Sequence, residues 1–370
     1  MATNAAKKDG DFQRQIAAGM TRAFDDPATE EQGLDLDSAR LVIFSDLHKG
    51  DRDPADDFRR SERAYQAALG YYLEQGHTLL TLGDVEELWK FGPGEVLKAY
   101  SQSLELEGEF HRKGRYLRFW GNHDDLWRYP DAVSKKLDRF YSGIKVREAL
   151  KLRVMGAGEE LGLIFIVHGH QGTLESERFA WFSKLVVRYL WRPLQRRIGA
   201  TATTPATDWN LRQRHEAAMF TWAKSHPSKP LMIAGHTHRP IFGTSRPPKP
   251  EIRPVEEIER DLQEARAHPE NRDRIAGLRA ELEWTVADAR RGPPPIPIEP
   301  PCYFNTGCCC FPDGDVTGLE IVQGKIRLVR WPSDDEKPEV KVLVEDDLRN
   351  VLAAIRGGER EVIERVPPRV

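Results

Sequence analysis

Short apolar runs that stop abruptly at a polar residue recur along this chain. Leu41-Val42-Ile43-Phe44 ends at Ser45-Asp46, Leu79-Leu80-Thr81-Leu82 at Gly83-Asp84, and Tyr116-Leu117-Arg118-Phe119-Trp120 at Gly121-Asn122. Runs of this length, bounded by turn residues, predict buried strands. Two more strands, over about 149–155 and 161–167, deliver Val167-His168-Gly169-His170, and Leu231-Met232-Ile233-Ala234 delivers Gly235-His236-Thr237-His238. Between the first two runs, Tyr65, Leu69, Tyr72 and Leu73 recur at helical spacing over about 58–75. Further helices are expected near 95–113 and 131–140. Ile241-Phe242 starts a neighbouring strand, strands near 303–305, 318–322 and 325–331 follow, and a helix near 345–356 precedes a polar tail. Strand alternating with helix predicts an α/β fold, its sheet parallel or mixed and covered by helices.

Three stretches break the pattern. Residues 1–39 are polar and read as a mobile lead-in to a domain spanning 40–370. Residues 174–225 form a helical insert in which Phe179, Trp181, Phe182, Tyr189 and Trp191 interleave with Lys184, Arg188, Arg192, Arg196 and Arg197. An aromatic face beside a basic one suits a lid over a phosphate site, with Arg188 and Arg192 as substrate contacts, or peripheral membrane contact through 175–198. Residues 245–301 are bounded by Pro247, Pro248 and Pro250 on one side and Pro293, Pro294, Pro295 and Pro297 on the other, and read as a charged helical hairpin with a thin apolar seam.

Composition narrows the function classes. The chain has 370 residues and is 39% hydrophobic, which is enough for a sizeable core. Lys plus Arg number 55 and Asp plus Glu 58, so the net charge of −3 argues against a nucleic-acid partner. The first residues lack the apolar core of a secretory signal, and no run reaches the roughly 18 apolar residues of a membrane span, so a cytoplasmic location is expected. Cys302 and the consecutive Cys308, Cys309 and Cys310 fit neither a disulfide framework nor a zinc knuckle and read as buried thiols, with a redox or metal role for the triple Cys as the alternative.

The polar tips carry the chemistry. In open α/β sheets ligands gather at the carboxyl ends of strands, where all of these tips lie. Two divalent cations roughly 3.5–4 Å apart need a bridging carboxylate, and Asp84 is placed for it. Asp46, His48 and His238 would complete one metal site, and Asn122, His168 and His236 the other. Mixed imidazole and oxygen donors suit manganese first, with iron, zinc or cobalt as alternatives. A water between the ions would attack phosphorus. His123 would protonate the leaving oxygen, and Asp124 would hold the His123 tautomer through the other ring nitrogen. His170 reads as an outer or loop histidine. Each motif alone recurs by chance, whereas all of them in order, each after an apolar strand, make a specific set.

The ordered blocks Asp46-x-His48, Gly83-Asp84, Gly121-Asn122-His123-Asp124, His168 and Gly235-His236-x-His238 resemble those of the calcineurin-like metallophosphoesterases, over roughly 41–243 and 302–331. The resemblance implies a sandwich of two sheets flanked by helices, with a dinuclear site on one rim. Within that family, Ser45-Asp46-Leu47-His48, Gly235-His236-Thr237-His238-Arg239-Pro240, and Glu87 and Trp89 after Gly83-Asp84 are similar to the UDP-2,3-diacylglucosamine hydrolases. That subgroup has Arg where this chain has His123, and it lacks the insert at 245–301. The expected activity is metal-dependent hydrolysis of a phosphodiester, pyrophosphate or phosphomonoester. Its substrate would be a phosphorylated small molecule, nucleotide-sugar or lipid-linked compound, with Arg239 among its contacts. The competing reading is a catalytically silent, metal-bearing interaction module that docks partners or membrane through its inserts.

Overall fold

Residues 1–39 build part of the core, which corrects the expectation of a mobile lead-in. In the computed structural model, residues 2–54, 56–172, 209–244, 255–266, 300–311, 313–333 and 337–357 are described. Helix α1 (Ala2–Asp25) places Phe12, Ile16, Met20, Ala23 and Phe24 on one stripe, and Ile16, Met20 and Ala23 are fully buried. The period of three to four residues was there to be read, but the polar remainder of the helix masked it. Strand β1 (Glu30–Asp35) pairs in parallel with β6 (Ala149–Gly156). It alternates between half-buried and exposed positions, because it is an edge strand with one covered face. Glu30 is tied to Lys145 and Arg147, and Glu31 to Arg153. Met20→Ala should lower stability by about 2–4 kcal/mol, read from chemical denaturation. A loss of under half a kcal/mol would return the segment to the status of an appendage.

The sequence-expected strands form two mixed sheets. Strands β2 (Arg40–Phe44), β3 (Thr78–Leu82), β4 (Tyr116–Phe119) and β5 (Val146–Arg147) run parallel. Antiparallel β11 (Val316–Val322), β12 (Lys325–Trp331) and β13 (Lys341–Asp347) extend the β2 side, giving seven strands in the order β13-β12-β11-β2-β3-β4-β5. The second sheet has six, in the order β1-β6-β7-β8-β10-β9, with β7 (Glu159–Val167), β8 (Leu231–Ala234), β9 (Pro240–Ile241) and β10 (Tyr303–Thr306).

Successive residues of β2 and β3 face opposite cores. Leu41, Ile43, Leu80 and Leu82 point to the inter-sheet core with Leu150, Ile164, Ile166 and Ile233. Val42, Phe44 and Leu79 point to a second core under α2 (Glu62–Glu74) and α4 (Ser101–Arg112), with Tyr65, Leu69, Tyr72, Leu104 and Phe110. A sheet covered on both faces needs apolar residues at every position, which is why these strands read as continuous runs. The fold is therefore the predicted α/β sandwich with helices on its faces.

Local departures have local causes. The helix expected over 95–113 is split into α3 (Pro93–Ala99) and α4 at Tyr100, whose hydroxyl donates to Asp56 (2.6 Å). Shorter α5 (Pro130–Lys136) and α8 (Leu348–Arg356) lie where helices were expected. Of the insert at 174–225, helix α6 (Trp209–Ser225) packs against α1 and the six-stranded sheet. Of the insert at 245–301, helix α7 (Val255–Arg266) is described. The aromatic and basic stretch with Arg188 and Arg192, and the rest of the hairpin, lie outside the described residues. No described helix is long and apolar enough to cross a membrane.

Candidate metal centre

The strand tips turn in an unusual way. Asp46, His48, Asp84, His236 and His238 have φ between 51 and 69°, five of the nine described non-glycine residues in the left-handed region. Such backbone costs on the order of 1–3 kcal/mol per residue and persists where the surroundings over-determine it. Here it swings each side chain back across the strand end into one volume. Two glycines in the motifs leave room for this. A Cβ on Gly121 would strike the Asp84 carboxylate and the His168 ring, and one on Gly235 would strike Ser45 and Asp46.

Asp46, Asp84 and His168 are oriented by partners. Asp46 Oδ2 accepts from the Ser45 hydroxyl and from the His236 N–H (2.8 Å), while Oδ1 lies 3.2 Å from His238 Nε2. His168 Nδ1–H donates to the Leu82 carbonyl (2.7 Å), which fixes its tautomer and turns the Nε2 lone pair inward. Asp84 Oδ1 accepts from the His123 N–H (2.8 Å), and Asp84 Oδ2 lies 3.3 Å from His168 Nε2 and 3.8 Å from His48 Nε2. His48 Nε2 and His238 Nε2 are 3.2 Å apart.

Asp46 Oδ1, Asn122 Oδ1 and His168 Nε2 are buried without a hydrogen bond of normal geometry. Buried polar atoms in that state are costly unless something else binds them. All three belong to sequence-predicted ligands, and Asp84, His168 and His236 form one cluster whose donor atoms lie within 4.8 Å of one another. The residues thus fit divalent cations held by nitrogen and oxygen donors.

The surroundings of His123 correct one expectation. Its Nδ1–H donates to Glu87 (2.9 Å), not to Asp124, and its ring stacks on Trp89 at 4.2 Å and 16°. Burial alone would raise the Glu87 carboxyl, but the neighbouring His123 and Lys90 charges outweigh it and hold the group well below the usual range. Asp124 serves the turn instead, accepting from the N–H groups of Gly121, Asp84 and Val85. Burial, then the charges of Asp84 and Glu86, push it up to about 7. Sequence could point to Glu87, which follows Asp84 by three residues, but not to its partner.

Other candidates fall around this centre. Arg239 is paired with Glu216 at 3.2 Å. His170 is buried with its ring 5.4 Å from that of His168, and His215 has its ring 5.0 Å from that of His236 and donates to the Gly169 carbonyl (2.9 Å). A cavity of about 800 Å³ reaches Asn122 and His170 and is lined by Trp120, Arg128, Tyr129 and Arg147, among others. These residues sit near the motifs but carry no periodic signal.

Under the tips of β2, β3 and β4 lies a layer that the sequence reading missed. Lys49 pairs with Glu107 and Arg118 with Glu86, all four fully buried, and Arg118 is also 3.7 Å from Glu107. Tyr65, Tyr116 and Tyr141 donate to Glu107 (3.0, 3.1 and 2.7 Å), and Trp127 donates to Glu86 (2.8 Å). Lys49 directly follows His48 and Glu86 follows Asp84 by two, so the network anchors the loops that carry the donors.

A family model described as calcineurin-like phosphoesterase matches residues 39–240, which span β2 to β9 and every donor named above. No curated protein matches the chain.

Proposed function

The chain belongs to the calcineurin-like phosphoesterases, a family of metal-dependent hydrolases, and on that premise we propose that it hydrolyses a phosphoester or pyrophosphate bond at a centre holding two divalent ions. The observation that carries the reading is the set of inward-facing donor atoms, Asp46 Oδ1, Asn122 Oδ1 and His168 Nε2, each buried without a normal hydrogen bond. Asp46, His48 and His238 would hold one ion, and Asn122, His168 and His236 the other, with Asp84 Oδ2 between them. When bound, such ions supply Lewis acidity and an activated water, and manganese is the first choice for the nitrogen and oxygen donors.

The chain's own residues do the rest. With its Nδ1–H committed to Glu87, His123 has Nε2 left to face a leaving oxygen, and the Glu87 carboxylate stabilises the ring as its proton moves. Glu87 Oε2 is also 3.4 Å from His48 Nδ1, so one carboxylate orients a metal donor and the general acid together. Trp89 stacks on the His123 ring and donates to the Asn122 carbonyl (2.8 Å), which restricts the ring to one plane.

The substrate is a phosphorylated small molecule with an extended second half. The cavity beside Asn122 supports this, since Arg128 suits a further anionic group, and Tyr129, 49% exposed, offers a ring face beside the Arg128 guanidinium. Nucleotide-sugar and lipid-linked pyrophosphates meet that description, and similarity to the UDP-2,3-diacylglucosamine hydrolases points the same way.

The test compares an aryl phosphomonoester, an aryl phosphodiester and a nucleotide-sugar pyrophosphate, with manganese supplied and then chelated. Turnover should vanish on chelation and return on readdition, with the pyrophosphate preferred. Turnover indifferent to chelation would end the reading. Glu87→Gln should lower kcat by about 10–100-fold with little change in KM, and an unchanged kcat would remove Glu87 from the acid pair.

A further inference from the structure

Three consecutive cysteines follow β10, and nothing in the phosphoesterase reading uses them. Their loop is pinned to the metal centre. The Ser45 hydroxyl oxygen lies 3.3 Å from the Gly307 carbonyl oxygen, and the Cys309 N–H donates to the Asp46 carbonyl (3.2 Å). Cys308 is buried, with its thiol beside that of Cys310 and the ring of His238. Cys309 is fully buried with Sγ 3.9 Å from the Thr317 carbonyl. Cys310 is partly exposed, and its Sγ lies 3.7 Å from His238 Nδ1. Its sulfur and ring nitrogens of His48 and His238 all fall within 4.8 Å of one another.

The two imidazole nitrogens are spaced as ligands sharing one ion. Two nitrogens each about 2.0 Å from a tetrahedral ion are separated by about 3.3 Å, and His48 Nε2 and His238 Nε2 are 3.2 Å apart. A second observation marks the same place. Asp46 Oδ1, 3.2 Å from His238 Nε2, is fully buried without a normal hydrogen bond. The other donor cluster, Asp84, His168 and His236, has no sulfur among the described residues.

We propose that Cys310 is a sulfur ligand to the ion held by Asp46, His48 and His238, so that this half of the centre takes a thiophilic divalent ion such as zinc in preference to manganese. The proposal rests on the two-ion reading and gives its halves different chemistry. Thiolate selects zinc and iron, while manganese, weakest in the divalent series, favours oxygen-rich sites. Cys310 lies in the loop that follows β10, the strand beside β8 in the six-stranded sheet, so the ligand arrives from a segment outside the matched family region of 39–240.

Cobalt(II) titrated into the metal-free full chain reads this without any substrate. The unaltered protein should show visible d–d absorption together with near-ultraviolet thiolate-to-cobalt charge transfer. Cys310→Ser should keep the d–d bands and lose the charge transfer, and Cys309→Ser should keep both. In competition, Cys310→Ser should lower the preference for zinc over manganese by on the order of tenfold. Charge transfer that survives in Cys310→Ser, or d–d bands without charge transfer in the unaltered chain, would overturn the sulfur ligand and leave the metal centre standing. If no cobalt binds at all, the metal centre falls and the sulfur ligand with it.

Discussion

Asp84→Asn is expected to lower metal-dependent turnover by on the order of a thousandfold, about 4 kcal/mol of transition-state stabilisation. The side chain keeps its shape, and an amide oxygen can still accept from the His123 N–H. What it loses is the negative charge at Oδ2, which lies 3.3 Å from His168 Nε2 and 3.8 Å from His48 Nε2. Two cations cannot be held side by side without an anion between them. Metal content should fall with activity, while unfolding in chelator should match that of the unaltered protein. Activity within tenfold of the starting value would take Asp84 out of the centre.

Glu107→Gln should be the most destabilising single change in the scaffold, at about 3–5 kcal/mol. The variant leaves Lys49 uncompensated in a fully buried site and takes one of the two carboxylates from Arg118. A loss of that size is a large share of a domain's total stability. Burial raises the Glu107 pKa, but Lys49 and Arg118 outweigh it, so the folded-state value lies below the ordinary 4.5. A carboxylate held down in this way contributes stability above the unfolded value, and that contribution drains away as the pH falls below it. Denaturant midpoints at neutral pH and near pH 4 should therefore converge between the two proteins. Equal midpoints at neutral pH would show the network to be dispensable. Exposed pairs such as Lys325 with Glu345 should cost under about 1 kcal/mol when broken.

What was legible in the sequence was local. An apolar run that stops at Asp, Asn or His states both the strand and the position of a polar tip, so the candidate donors Asp46, Asp84, Asn122, His168, His236 and His238 stand out from their own neighbourhoods. The partner of His123 was not, because Glu87 and Asp124 are equally plausible carboxylates until the loops are folded, and Asp124 turns back toward the amides of Gly121 and Val85. The buried charges were hidden for the same reason. Lys49 and Glu107 are 58 positions apart, and each alone reads as a solvated residue. Strand β1 escaped because its one clearly apolar residue, Leu34, cannot establish a period, and its charged residues find cations only once β5 and β6 are beside it.

The donors come from opposite halves of the molecule. Asp46, His48, Asp84 and Asn122 follow strands of the seven-stranded sheet, while His168, His236 and His238 follow strands of the six-stranded one. An ion gripped by both halves therefore works as a clasp across the sandwich. Such a cation has little affinity for the unfolded chain, where the donors are scattered over nearly two hundred positions, so each ion present stabilises the fold by mass action, by about 2.7 kcal/mol at a hundred times its dissociation constant. Metal returned to the chelated chain is therefore expected to raise its denaturant midpoint along with its turnover.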